Sequence, residues 1–262
     1  MTLDGLENIV KNACRKTDKI NFIRYADDFI VTAKTKELLE NKVKPAIEQF
    51  LSARGLQLSR AKTTITHIEK GFNFLGFNIR KYNGKYLGKP AKEGVKTFVR
   101  GVKEIFQRGY GWGGAPLIRL LNPKIKGWAN YYRSGVSKAT YSKIDNAIYQ
   151  MAMHWAFRKF SKRQRYKAVA RYFRRRHLTR RWIFSDEEIS KKGSKRIVGI
   201  VKMMDVKIQR HVKIRSSANP FDLKDREYFQ QRELWKSKVR LIQRKVDKDL
   251  YARMQLNLRL DK

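Results

Sequence analysis

Apolar residues recur at two spacings along this chain, and the change from one to the other divides it. Leu39, Val43, Ile47 and Leu51 stand four apart, which predicts an amphipathic helix over residues 36–54 with its charges on the opposite face. Short β-favouring runs surround that helix, at residues 22–24, 29–33, 63–68 and 74–80. The last run leads into Tyr82-Asn83-Gly84-Lys85-Tyr86, where Asn-Gly signals a tight hairpin turn. From about residue 90 the helical spacing takes over, predicting helices at 94–107, 117–132 and 141–157. The third places Ile144, Ile148, Met151 and Trp155 on one face. The glycine-rich stretch Gly109–Pro116 ends the first, and Pro123 is expected to interrupt or restart the second. Three such helices in succession predict a small bundle. Farther on, Ile197–Met204 is apolar, Arg210–Asp222 reads as strand and turn, and a charged helix closes the sequence. The fold class is therefore α+β: an antiparallel sheet with a helix over residues 1–88, a helical bundle over 89–157, and an extension over 158–262.

Charge changes this picture from a generic α+β chain to a polyanion-binding one. Among 262 residues, 61 Lys and Arg face 23 Asp and Glu, for a formal net charge of +38. At 42% hydrophobic the chain can still bury a core, so disorder does not account for the charge. Self-repulsion on this scale calls for a polyanion. No apolar stretch approaches a spanning helix, and the opening MTLDGLENIV lacks a signal-peptide pattern. The basic residues run through most of the chain instead of clustering beside an anchor, so nucleic acid is expected and a membrane is not. The single cysteine, Cys14, excludes an internal disulfide and a cysteine-based zinc site. It is expected to be an ordinary thiol in an intracellular protein, cytoplasmic or nucleoid-associated or of an organelle.

The densest basic run, RKFSKRQRYKAVARYFRRRHLTRR from Arg158 to Arg181, holds no acidic residue. A solvated helix face ordinarily mixes both signs. Its Arg158, Lys159, Arg163, Arg165, Arg171, Arg174, Arg175, Arg176, Arg180 and Arg181 are candidate phosphate contacts. Phe160, Tyr166, Tyr172 and Phe173 are interleaved with them.

The sharpest chemical feature is Phe22-Ile23-Arg24-Tyr25-Ala26-Asp27-Asp28-Phe29-Ile30-Val31. Two adjacent carboxylates interrupt an apolar run, so a hairpin would hold them at its tip. Adjacent carboxylates repel unless cations neutralise them, and hard oxygen ligands favour Mg²⁺. Paired ions of this kind assist phosphoryl transfer. Alone, Asp-Asp is better read as a polar turn.

The whole string, however, resembles the Tyr-x-Asp-Asp signature of reverse transcriptases. After the helix come Arg54-Gly55-Leu56-Gln57-Leu58-Ser59-Arg60-Ala61-Lys62-Thr63 and Phe72-Asn73-Phe74-Leu75-Gly76-Phe77, in the order of the late palm blocks of group II intron proteins. Leu121-Asn122-Pro123-Lys124-Ile125-Lys126-Gly127-Trp128-Ala129-Asn130-Tyr131-Tyr132-Arg133 resembles the signature of the maturase domain, or domain X. Arg210–Asp222 is similar to the segment that follows it in bacterial members, where it contributes DNA binding.

The resemblance to group II intron-encoded reverse transcriptase/maturases implies a partial polymerase palm over 1–88, a thumb or domain X over 89–157, and a basic nucleic-acid-binding region over 158–262. It implies Asp27 and Asp28 as catalytic and metal-binding residues with Mg²⁺ as cofactor. Tyr25, Lys62, Phe74, Leu75 and Gly76 are then placed at the substrate and primer-template. Lys124, Lys126 and Arg133 offer phosphate contacts, while core packing is expected to claim Trp128 and one of the tyrosines. Some of Phe72, Phe74 and Phe77 are expected in the core as well, and His211 is expected to be structural. The implied partners are group II intron RNA and target DNA. Relatives carry fingers and a first palm half with a further metal-binding Asp upstream; Asp4, Glu7 and Asp18 form no substitute pattern. A cysteine-rich HNH nuclease is not expected. Three readings follow: a reverse transcriptase that works with an upstream half, a splicing factor that only binds RNA, or a fragment of a broken reading frame.

Overall fold

The computed structural model describes residues 2–59, 61–174, 182–189, 193–209, 214–215, 218–235 and 237. Its elements combine helices with small antiparallel sheets, which is an α+β arrangement. Two units are distinguished, 1–210 and 211–262.

Within the first unit, two apolar clusters form with no residue in common. The smaller gathers Leu6 and Val10 of α1 (Leu6–Asn12) with Val43, Ile47, Phe50 and Leu51. The predicted helix over 36–54 appears as α2 (Lys36–Leu38), a π turn (Leu39–Val43) and α3 (Lys44–Ser52). Pro45 stands at the join, where its ring and missing N–H disturb the regular ladder. Against this cluster lies a hairpin of β1 (Asn21–Tyr25) and β2 (Asp28–Thr32). Alternation sends Phe22, Phe29 and Val31 to the cluster, and the Phe22 and Phe29 rings stack at 5.7 Å. Ile23 and Tyr25 face outward and are exposed.

The larger cluster is built by three helices, α4 (Lys92–Arg108), α5 (Gly114–Tyr132) and α6 (Lys138–Phe157), close to the three that periodicity predicts. β3 (Phe72–Phe74), β4 (Phe77–Tyr82) and β5 (Lys85–Pro90) form a meander, with Asn83-Gly84 at the second turn as expected. Phe77 of this meander packs on the helical core.

Two local expectations are corrected. Residues 63–68 form no strand, because β-favouring residues without a partner strand remain irregular; the Ile68 carbonyl accepts one bond, from the Lys81 N–H at 3.0 Å. Pro123 does not interrupt α5, which continues through it. The proline is exposed, so the carbonyl it leaves unpaired one turn earlier can bond water.

The helices are sealed by elements that the hydrophobic pattern announced only in the apolar run Ile197–Met204. α7 (Arg165–Tyr172) leads into β6 (Phe173–Arg174), which pairs with β7 (Ile183–Ile189), and β7 pairs with β8 (Lys195–Gly199). Tyr172, Phe173 and Phe184 are buried, and Trp155 meets Tyr172 and Phe184 edge-on at 5.2 and 5.5 Å. Polar bonds stitch the seam between these strands and the helices. The buried Asp186 carboxylate accepts from Gly114 N–H at 2.8 Å, which starts α5 earlier than its periodicity implies. Asn122 donates to Gly199 O at 3.1 Å and accepts from Val201 N–H at 2.9 Å. Asp145 accepts from the Met203 and Met204 N–H groups at 2.8 and 3.0 Å. Burial raises the Asp145 pKa despite these two donors.

In the second unit, Asn219–Asp222 turns into a single 3-10 turn, Leu223–Asp225, and residues 226–235 are helical. Arg215 lies 4.4 Å from the Tyr228 ring centre, and the Tyr228 hydroxyl accepts from Arg215 N–H at 3.1 Å. Of the strand and turn expected over 210–222, residues 210–213, with His211, and 216–217 lie outside the described residues.

Candidate nucleic-acid interface

The β1–β2 hairpin puts Ala26 and Asp27 in its two-residue turn, with Tyr25 paired to Asp28 at its base. Ala26 has φ +53°, the first turn position, where glycine would be unstrained. Tyr25, Asp27 and Asp28 are all exposed. A pair of exposed carboxylates fits the one or two that Mg²⁺ takes from protein, the rest of its shell being water and phosphate oxygens. Among the described residues, no group of three or more His, Cys, Asp or Glu gathers as a fuller metal site. The three acidic residues upstream have partners of their own. Asp4 pairs with Arg24 at 3.3 Å, Glu7 with Lys11 at 2.6 Å, and Asp18 accepts from Arg15 N–H at 3.0 Å.

Lys62 is exposed in a turn closed by its own N–H on Ser59 O at 3.1 Å. Phe74, Leu75 and Gly76 form the β3–β4 turn, with φ +47° at Leu75 and +74° at Gly76. This turn is clamped from α5. Tyr131 donates its hydroxyl to Leu75 O at 2.8 Å, and Phe77 stacks on Tyr131 and meets Tyr132 edge-on. A Cβ on Gly76 would stand 2.7 Å from the Tyr132 hydroxyl oxygen, and one on Gly94 of α4 would stand 3.2 Å from it. The maturase-like Tyr131-Tyr132 and the palm-like Leu75-Gly76 are thus in direct contact.

Along α5 the structure sorts the residues of the signature. Tyr132 is buried, Trp128 packs half-buried against Phe98, Tyr132 and Tyr141, and Tyr131 keeps an exposed ring. Lys124 turns toward α4, where Gly101 leaves room: a Cβ there would meet the Lys124 ammonium at 2.7 Å. Lys126 and Arg133 fall on a different face, seven residues apart, and Arg119 lies seven before Lys126. Residues seven apart on an α-helix drift by only about 20° and rise about 10 Å. Arg119, Lys126 and Arg133 therefore form a cationic ridge along α5. Arg119 was not among the sequence candidates; the same heptad spacing, applied to charges instead of apolar residues, would have found it.

The basic run divides similarly. Arg158 lies 4.2 Å from the Tyr110 ring centre, Arg165 5.2 Å from Phe157 and Arg171 5.4 Å from Tyr172, while Lys159 donates to Trp112 O at 3.0 Å. These side chains brace the bundle with their charged heads, over ring faces and on a backbone carbonyl. Arg163 is exposed, beside an exposed Tyr166 one turn on. Arg174 contributes its backbone to β6, and Arg175, Arg176, Arg180 and Arg181 lie outside the described residues.

A small hairpin with a carboxylate tip and a helical bundle with outward cations thus share one chain, and known families match both. The reverse transcriptase (RNA-dependent DNA polymerase) family matches residues 1–79, and the group II intron maturase-specific domain matches residues 95–173. The two matches together support a group II intron reverse transcriptase/maturase. It is similar to the group II intron-encoded protein LtrA of Lactococcus lactis subsp. cremoris, at 26% identity over 148 residues. The same protein of strain MG1363 matches equally. That match covers 45% of this chain and 25% of the relative, so the chain spans about a quarter of the length of the curated relatives it matches. Among the described residues, no helix is long and apolar enough to cross a membrane.

Proposed function

We propose that this chain binds group II intron RNA and assists its splicing, with its bundle and basic extension as the contact surface. The observation that carries the reading is the segregation on α5: Trp128 and Tyr132 of the maturase signature turn inward while Arg119, Lys126 and Arg133 line up outside. The net charge of +38 supports the same partner. In this reading residues 1–88 are the later part of a polymerase palm, 89–157 a thumb, and 158–262 a nucleic-acid-binding region that also serves target DNA.

The same reading gives Asp27 and Asp28 a role in RNA-templated DNA synthesis during intron mobility. When bound there, Mg²⁺ would supply Lewis acidity at phosphate oxygens. The hairpin holds the two carboxylates out from its apolar base, and the clamped Leu75-Gly76 turn offers a fixed edge for a primer strand. One carboxylate pair positions metal poorly for in-line transfer, and misplacement is costly in such chemistry. Synthesis therefore requires a further carboxylate, supplied by a finger and palm half. A second reading, RNA binding without polymerisation, draws on the local partners held by Asp4, Glu7 and Asp18.

Three measurements test these readings. RNA affinity should fall by roughly 10³ to 10⁵ between 50 and 200 mM salt if about six to ten phosphates are neutralised; a shallow slope refutes the electrostatic surface. Primer extension on RNA with Mg²⁺ should need an added finger and palm half and be abolished by Asp27→Ala. Splicing assistance that tolerates Asp27→Ala, with no extension under any pairing, leaves the binding-only reading standing.

A further inference from the structure

The seam between α5 and β7–β8 contains a carboxylate that is conspicuous in so basic a chain. The Glu188 side chain is 4% exposed, and two arginines converge on it from different elements. Arg119 of α5 pairs with Oε1, while Arg196 of β8 reaches Oε2 at 2.8 Å through both Nε and Nη2. The strand register places Arg196 directly across from Glu188, and Asn122, one turn beyond Arg119, pins the end of β8 to the same helix. Both partners of Glu188 are therefore fixed by backbone geometry, not by the ion pairs alone.

One carboxylate beside two guanidiniums leaves a net positive charge and two cations that repel each other. Tying the hairpin to the helix requires only one of them. No other carboxylate of β7 balances the second: Asp186 is buried and accepts from the N–H groups of Gly114 and Glu187, and Glu187 projects from the opposite face of the strand. The Arg119 and Arg196 side chains stay 62% and 64% exposed. A guanidinium carries five N–H donors in a rigid plane, so donors beyond those given to Glu188 remain for a ligand. A second anion on the solvent side would relieve the repulsion and complete the pairing.

We propose that Arg119 and Arg196, cross-braced by the buried Glu188, form a two-guanidinium clamp for a phosphodiester of bound RNA. Its place at the head of the ridge that continues through Lys126 and Arg133 gives the strand a direction along α5. The proposal rests on the RNA-binding reading above and assigns it a defined contact. Glu188 acts as a positioning residue: it holds the two forks and does not touch the phosphate.

The test compares charge with geometry, using the full chain and a labelled RNA stem-loop in a salt titration, with duplex DNA as a second probe. Glu188→Gln adds one positive charge to the site while releasing both arginines. If the cations act as diffuse charge, its RNA affinity rises. The clamp requires it to fall about tenfold, in line with the loss of a well-aligned charge-assisted pair. The double variant Arg119→Lys with Arg196→Lys keeps both charges and the pairing to Glu188, so it decides the matter if Glu188→Gln unfolds. The clamp predicts several-fold weaker RNA binding with an unchanged salt slope, because point charges replace the forks. Unchanged or tighter RNA binding in a folded variant, or a loss seen on DNA alone, overturns it. Wild-type chain that fails to bind the RNA at all instead overturns the broader reading.

Discussion

The β1–β2 hairpin and helix α5 hold the two signatures of this chain, and they are supported in opposite ways. The hairpin has two strands, one packed face and one open face, with Tyr25 and Ile23 turned to solvent. Helix α5 is covered on one side by α4 and α6, on another by β7–β8, and at its end by the β3–β4 turn. Residues that identify a family by chemistry sit where the local packing is thin. Those that identify it by architecture sit where side chains have nowhere to move.

Three comparisons sharpen that contrast, in falling order of effect. Trp155→Ala removes a fully buried ring whose indole N–H donates to Gly109 O at 2.8 Å, and should cost about 3–5 kcal/mol of unfolding free energy. Ile23→Ala on the open face of the hairpin should stay within about 0.5 kcal/mol. Equal losses in chemical denaturation would erase the contrast.

Next, Gly76→Ala adds a Cβ against the Tyr132 hydroxyl, whereas Gly84, with φ +79°, has open space around it. Both changes carry the left-handed backbone strain of about 1 kcal/mol, so the excess at Gly76 measures the clamp alone. That excess should be about 1–3 kcal/mol, the range for overpacking, and its absence would mean the turn and α5 part easily.

The smallest effect concerns Asp145. Burial raises its folded pKa, so the folded state binds a proton that the unfolded chain releases, and its ionised form costs stability at higher pH. As pH falls through the folded value, wild type should gain in thermal midpoint relative to Asp145→Asn. A pH-independent difference would place the carboxylate in a wetter site than its contacts indicate.

Much of this molecule was legible in advance, for identifiable reasons. The three long helices announced themselves through apolar residues at helical spacing, and the Asn83-Gly84 turn through the backbone it demands. The β7 strand did not, because Ser185-Asp186-Glu187-Glu188 reads as solvated loop until its partners are known. Asp186 needs Gly114, 72 positions away, and Glu188 needs Arg119 and Arg196. Long-range pairing of a polar residue leaves no periodic trace. Residues 63–68 erred the other way, with strand-like composition and no neighbour to pair with. At the candidate site, the hairpin position of Asp27 and Asp28 followed from the flanking apolar residues, while the convergence of Arg119 and Arg196 on Glu188 emerged only from the fold.

The clamp between Tyr131-Tyr132 and Leu75-Gly76 also bears on how such chains can be recombined. One family match ends at residue 79 and the other begins at 95, which invites treating the boundary as a place to graft one module onto another. The structure says the graft point is not neutral. A foreign helical module with bulkier groups at Tyr132, or a foreign meander with any side chain at Gly76, would arrive at an occupied space. Viable chimeras must carry both halves of that contact from the same parent, making the turn and the tyrosine pair a single unit of inheritance.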